Sequence, residues 1–543
     1  MGRFLNSRNS YEKYCGIVSD PYFVDKSELL RDLIAALGKP NRYFCITRPR
    51  RFGKSVMANM VDAFFGRAAK SDRLFDGLRI ARDNNGKENP DYRKHLNQHN
   101  VIYIDFSETD FPRQSMEYMQ YIERIQDGIN QDLKEAYPEL GLGMEDALWD
   151  VLNCIFQKTN QKFIFVMDEW DAVFHLPFIT EEDRAQYLRF LKALLKDKAY
   201  VELAYMTGVL PIAKYSSGSE LNMFLEYDMT NRKKFSEYFG FLENEVDRLF
   251  EVYLRDTQEP EITREDLRIW YDGYYTGKGS RIYNPRSVVC ALTDDELACY
   301  WTSSGPYDEI FYYIRNDIEE IQDDLVLMVA GEGVRAEVQN YAAVSMNLET
   351  KDEVYSAMVV YGLLTYKDGK VYIPNRELML QYEKLLLSKD SLGYVHRLAK
   401  ESERMVKATL AGDVRTMAEI LKYAHDTESP ILSYNSEAEL SAVVNLVYLS
   451  ARNNYRVERE DKAGEGFVDF IFYPDQRNND GIILELKIDS TPKDAVEQIK
   501  AKGYQLRFRG KLGETPKFTG RILAVGISYC RKTKEHACKV EVL

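Results

Sequence analysis

Short apolar runs separated by longer stretches of helical spacing organise the first two fifths of the chain. YFCIT from Tyr43, VIYIDFS from Val101, FIFVMDEWD from Phe163 and VELAYMTGV from Val201 each read as a buried strand ending in polar or turn residues. Between them lie segments of helical period, such as Val56, Met57, Met60, Val61, Phe64 and Phe65. Strands alternating with helices predict a mostly parallel sheet covered on both faces, running to about Ile212.

The pattern then changes. Residues 230–330 read as largely helical, with aromatic-rich loops at WYDGYYTG and YNPRS. EVYSAMVVYGLL predicts a helix, and TYKDGKVYIP after it predicts a hairpin turning at Asp368-Gly369. That order suggests a small winged-helix-like unit. Residues 390–428 read as helices. After Pro430 come a helix over 436–453, strands near 455–459, 466–473 and 481–488, and a helix from about Pro492.

At 543 residues the chain is too long for one core. With 45% hydrophobic and 29% charged residues it is globular in composition. No run of eighteen or more apolar residues is present, so no membrane span is expected. The opening MGRFLNSRNSYEKYC lacks the apolar centre of a signal peptide. Seven cysteines, odd in number and never spaced CxxC, predict free thiols in a reducing cytoplasm. Cys530, His536 and Cys538 lack the second pair that a zinc site needs. The net charge of −14 argues against a chain that coats nucleic acid all over. Its C-terminal fifth nevertheless carries a surplus of base, including Lys500, Lys502, Arg507, Arg509, Lys511 and Lys517. Such a face can hold a phosphate backbone or be merely solvated.

Two patterns carry chemistry. The first is Thr47-Arg48-Pro49-Arg50-Arg51-Phe52-Gly53-Lys54-Ser55, set between a strand and an amphipathic helix as a P-loop is. Backbone N–H groups of Arg50–Gly53 would face phosphates, Lys54 would reach the outer oxygens of ATP, and Ser55 would hold Mg²⁺. Arg48 stands where the first glycine of GxxxxGK[ST] belongs, and a chance GKS at a helix start is the competing account. Asp168 and Glu169 end an apolar strand, Asp168 to hold Mg²⁺ and Glu169 to orient water. A strand-end capping pair would look the same. Asp171 reads as structural, and Thr207 as a residue that could sense the γ-phosphate.

The second pattern is GFVDFIFYPD followed by GIILELKID. Period two places Glu485 and Lys487 on one strand face and Leu484 and Leu486 on the other. Asp469 and Glu485 from adjacent strands can bind Mg²⁺ or Mn²⁺, and Lys487 can orient a nucleophile. Glu437, on the preceding helix, offers a further oxygen, with Glu439 as its competitor. An exposed Glu485–Lys487 ion pair is the plain alternative. Gln498 and Tyr504 either touch this site or pack.

Together these segments resemble bacterial AAA-ATPase-like proteins that end in a PD-(D/E)XK nuclease-superfamily domain. YFVDKSELL, RPRRFGKS, DEWD, TGVLPIAK, YFGF and WYDGYY resemble the N-terminal module; YGLLTY and YIPNREL resemble the middle; VDF, LELK and QIKAKGY resemble the tail. The resemblance makes the missing glycine normal for the family. It assigns ATP and Mg²⁺ to Lys54, Ser55, Asp168 and Glu169, and a nuclease core to Asp469, Glu485 and Lys487. Such proteins often carry a histidine four residues after the helical glutamate, where this chain has Ser441.

The expected fold is α/β. It comprises a P-loop NTPase sandwich over 1–230, a helical extension over 231–350, a winged-helix-like and helical connector over 351–428, and a restriction-endonuclease-like domain over 429–543. The expected function is an ATPase coupled to a metal-dependent nuclease acting on DNA, cytoplasmic, not membrane-bound, and able to form a homo-oligomer. Two alternatives stay open. One is a nucleotide-dependent switch or scaffold whose nuclease-like domain only binds. The other is a nuclease whose P-loop holds nucleotide for stability alone.

Overall fold

The computed structural model describes all residues except 1, 69, 84, 109–117, 144–146, 177–178, 213–219, 231, 302–318, 339–349, 389–392, 427–436, 464–465, 477, 507 and 509–517. The chain divides into two compact units. One is Met1–Pro306 with Ala336–Glu377; the other is Tyr307–Arg335 with Leu378–Leu543. The division falls inside the helix Arg376–Ser388, so the hairpin after Leu364 goes with the first unit and the helices from Gly393 to Asp426 with the second.

The first unit is built on β1 (Tyr43–Thr47), β2 (Asn100–Asp105), β3 (Phe163–Asp168), β4 (Val201–Gly208) and β5 (Leu225–Tyr227), all parallel, in the order β2-β3-β4-β1-β5. The near-continuous apolar runs follow from burial on both faces. Cys45, Phe165, Met167, Ala204 and Met206 pack with the helices Tyr118–Ala136, Leu148–Thr159 and Glu181–Leu195. Phe44, Ile46, Ile164, Val166 and Leu203 pack on the opposite face with Arg8–Val18, Leu29–Ala36 and Lys54–Phe65. Each fully buried Val, Leu, Ile, Phe or Met among them contributes about 1.5–3 kcal/mol.

The helices Glu243–Asp256, Arg264–Tyr271 and Pro285–Asp294 enclose a separate core around Val246, Leu267, Tyr271 and Val288. Between the last two lies a short hairpin, β6 (Tyr274–Tyr275) with β7 (Arg281–Ile282). The helix Lys351–Val360 opens with a capping box in which Thr350 and Glu353 reciprocate. A two-residue hairpin of β9 (Thr365–Lys367) and β10 (Lys370–Tyr372) follows. Asp368 and Gly369 take φ of 50° and 77°, the left-handed pair that a type I′ turn requires.

The second unit contains the two-residue strand β8 (Val334–Arg335) and a five-stranded sheet of β11 (Tyr455–Ala463), β12 (Gly466–Pro474), β13 (Gly481–Ile488), β14 (Ile522–Cys530) and β15 (Glu535–Val542) in sequential order. Only β13 and β14 run parallel; the helix Pro492–Ala501 lies between them in sequence, as such a crossover needs. That helix packs over Ile483, Ile471 and Ala524. All seven cysteines are free. Among the described residues no helix is long and apolar enough to cross a membrane.

Candidate functional site

After β1 the chain turns through Arg48–Gly53 into the helix Lys54–Phe65. Arg51 (φ 71°) and Gly53 (φ 89°) both have left-handed backbone. Glycine adopts it freely, whereas Arg51 stores strain on the order of 1 kcal/mol or more. No side chain caps this helix, so its first N–H groups remain open to a ligand. They border a cavity of about 740 Å³ lined by Arg50–Met57, Glu169, His175 and Arg286, with Tyr14, Phe23 and Tyr238 among its apolar walls.

Parallel register brings the chemistry to one sheet edge. Ile46 pairs with Thr207, Met167 with Met206 and Asp105 with Asp168, so β1, β3 and β4 end together. Lys54 is 3% exposed; its Nζ donates to Pro49 O at 3.3 Å and lies 3.4 Å from Glu169 Oε1. Glu169 is aimed there by its own left-handed φ of 50°. Asp168 is buried beneath them and accepts from Thr207 Oγ1, from Tyr103 OH at 3.4 Å and from the Ser55 hydroxyl. Burial lifts its carboxyl above the usual range, opposed by the Ser55 and Thr207 hydroxyls. Asp171 caps the backbone N–H of Val209 and Leu210, and any side chain at Gly208 would strike Asp171 and Trp170.

Arg48, in place of the glycine, is 1% exposed. Its guanidinium donates to Thr47 O and Tyr227 O at 2.7 Å and to Phe235 O at 3.1 Å, and stacks 5.0 Å over Phe239. Burial lowers its pKa to about 10. Arg48 is thus a core residue that ties β1 to the 227–239 segment. Phe52 is also fully buried, its ring packed with Met229, Tyr274 and Ile282.

In the second unit, period two places Glu485 and Lys487 on one face as expected, but that face is not open. Every residue of Gly481–Leu486 is buried because helices cover both sides of β13. Glu485 is 3% exposed, which removes the exposed ion pair as an account of it. Pairing of β12 with β13 runs from Phe472–Ile482 to Phe470–Leu484. One residue further, Asp469 Oδ2 accepts from the Leu486 N–H at 2.7 Å. Lys487 Nζ lies 3.1 Å from Glu485 Oε1, to which Gln498 Nε2 also donates. Glu485 Oε2 is buried without a hydrogen-bond partner. Burial first and the Asp469 charge second push the Glu485 carboxyl up to about 7, against the opposing pull of Lys487. A buried carboxylate oxygen left over beside a second carboxylate fits a hard divalent cation, and the all-oxygen donors suit Mg²⁺ or Mn²⁺. Among the described residues no three His, Cys, Asp or Glu side chains cluster as a metal site. The Glu437 side chain lies outside the described residues; Ser441 is buried on the same helix, Glu437–Val447.

The sequence did not point to Tyr103, Arg286 or His175. Arg286 comes from YNPRS, which the sequence marks only as an aromatic-rich loop. Gln498 had a signal in QIKAKGY, and Tyr504 is buried beside it in the core under the helix.

Residues 11–217 match the family described as "Predicted AAA-ATPase", and residues 437–537 match the "PD-(D/E)XK nuclease superfamily". A protein of Azotobacter chroococcum mcd 1, described as "Uncharacterized protein in vnfD 5'region", is 27% identical over 306 residues, 53% of this chain. The match spans about half of that relative, 51% of its length. The Walker-type ATPase of Pyrococcus abyssi aligns over 66% of this chain and 94% of its own at 11% identity, TM-score 0.35. The Aeropyrum pernix ORC1 protein, solved in complex with DNA, aligns over 73% and 100% at 13% identity, TM-score 0.28. The chain therefore carries a match to a predicted AAA-ATPase domain at residues 11–217 and a match to the PD-(D/E)XK nuclease superfamily at residues 437–537.

Proposed function

We propose that the chain is an ATP-binding, ATP-hydrolysing protein whose nucleotide state governs a metal-dependent nuclease acting on DNA phosphodiester bonds. The observation that carries the reading is Glu485, a buried carboxylate with one unpartnered oxygen beside Asp469 and Lys487. A structural carboxylate so placed would be satisfied or replaced, because an unpaired buried charge is expensive.

Asp469 and Glu485 would hold a divalent ion, which when bound polarises a phosphate and lowers the pKa of water. Lys487 is placed to orient the attacking water or to offset charge developing on the phosphate. Gln498 occupies Glu485 Oε1, which leaves Oε2 as the available oxygen. In the first unit Lys54 would exchange its contact with Glu169 for phosphate oxygens, freeing Glu169 to orient water. Ser55 and Asp168 would hold Mg²⁺. The C-terminal surplus of lysine and arginine supports a nucleic-acid partner.

The test is cleavage of labelled single- and double-stranded DNA with Mg²⁺ or Mn²⁺, with and without ATP, beside Glu485→Ala. Cleavage lost in the variant supports the nuclease, and its response to ATP measures the coupling. No cleavage of DNA or RNA by the wild type would overturn it in favour of a nucleotide-dependent scaffold.

A further inference from the structure

The loop that would receive the phosphates is held from outside by residues far downstream. The Trp301 indole, 3% exposed, donates to Arg50 O at 3.0 Å. Its own backbone N–H is fixed by Glu377, a buried carboxylate that also accepts from Ser287 Oγ at 2.8 Å. Gly362 abuts Pro49 so closely that a Cβ would come within 2.7 Å of the proline Cβ. Tyr274 OH donates to Gly362 O at 3.1 Å while its ring packs edge-on against Phe52, centroids 4.9 Å apart. The strained residue, Arg51, sits between the two braced positions, Arg50 and Phe52.

Strain in a loop persists only where its surroundings over-determine it. The N–H groups of Arg51–Lys54 can converge on an anion only while that left-handed turn is held. The indole hydrogen bond to the Arg50 carbonyl is made at the peptide that enters the strained stretch.

We propose that Trp301 is a positioning residue for the nucleotide site. By fixing the Arg50 carbonyl it holds Arg51 in its left-handed conformation and so keeps the loop shaped for phosphates before any nucleotide arrives. The inference rests on the ATP-binding reading above. It predicts that the energy of pre-forming the loop is met by the fold, and that removing one N–H shifts it onto the ligand.

The experiment compares wild type, Trp301→Phe and Lys54→Ala in the full chain. Mg-ATP and inorganic triphosphate affinities are read by calorimetry, and amide exchange of residues 50–55 is read without ligand. Trp301→Phe keeps an aromatic ring but loses the donor and some buried volume, so affinity and local exchange, rather than stability alone, are the readouts. The expected result is about tenfold weaker binding of both ligands, of the order one buried hydrogen bond supports, with faster exchange in the loop and KM for ATP rising more than kcat falls. A merely structural tryptophan would lower the melting temperature and leave affinity and local exchange unchanged; that outcome overturns the proposal. Should Trp301→Phe fail to fold, Tyr274→Phe removes the hydroxyl that holds Gly362 and is expected to act in the same direction by a smaller factor. Wild-type binding abolished by Lys54→Ala but untouched by both variants sinks this inference alone. No ATP binding by the wild type sinks it together with the reading on which it rests.

Discussion

The two sites put charge in the same place, at the end of a buried strand, and settle it in opposite ways. In the first unit the cation is already paired: Lys54 faces Glu169 and the Pro49 carbonyl, and Asp168 is bonded by two hydroxyls and Tyr103. In the second, Glu485 shares one oxygen between Lys487 and Gln498 and has nothing on the other. In the first site each of these groups has a hydrogen-bond or ion-pair partner. The second is left short of a positive charge, and its own carboxyl responds by holding a proton up to about pH 7. Under the proposed function, the first site would take an anion that competes with an internal partner, and the second a cation that would complete it.

The largest effect that would break this comparison is on chemistry. Glu485→Ala is expected to lower metal-dependent DNA cleavage by about a thousandfold, since it removes both a metal ligand and the partner of Lys487. Residual cleavage at the wild-type rate would show that the two sites do not differ in this way. Next, Lys54→Ala is expected to weaken Mg-ATP binding by roughly a hundredfold while leaving Glu169 without its cation. Unchanged binding in a titration would end the claim that the first site awaits an anion.

Stability against pH separates the sites further. The folded pKa of Glu485, about 7, exceeds the ordinary 4.5, so the folded state holds the extra proton between those values. Its contribution is therefore full below about pH 4.5 and is lost as pH rises through 7, by about 3 kcal/mol at most. Added Mg²⁺ should reverse the slope, because it binds the deprotonated form. Thermal unfolding from pH 5 to 8, with and without Mg²⁺, should show this in the wild type and not in Glu485→Gln. Arg48→Lys is expected to cost about 2 kcal/mol, because an ammonium cannot span three carbonyls in that planar fork; urea denaturation measures it. The smallest effect is that of Gln498→Ala. Losing a donor to Glu485 should raise its pKa slightly and shift the cleavage profile to higher pH, with less than about a tenfold loss of rate.

Much of this was legible in advance. The four central strands, the hairpin at Asp368-Gly369 and the strands around Asp469 and Glu485 follow from periods of two and 3.6 and from turn chemistry, which are local. The reading of the Glu485 strand was right about which residues share a face. It could not show that a helix would cover that face, because alternation reports direction and not what packs there. Arg48 looked like a gap in a motif, and only its three carbonyl partners reveal a buried strut.

The sequence by itself determined the elements, their order and the residue types able to do chemistry, since these depend on neighbours a few positions apart. Tertiary structure alone decided the rest: that Thr207 and Asp168 meet at one sheet edge, that Glu485 keeps an oxygen without a partner, and that Trp301 reaches back to Arg50 across 251 positions of chain. Burial and hydrogen bonding are set by whichever groups the folded chain brings together, and no local pattern records that.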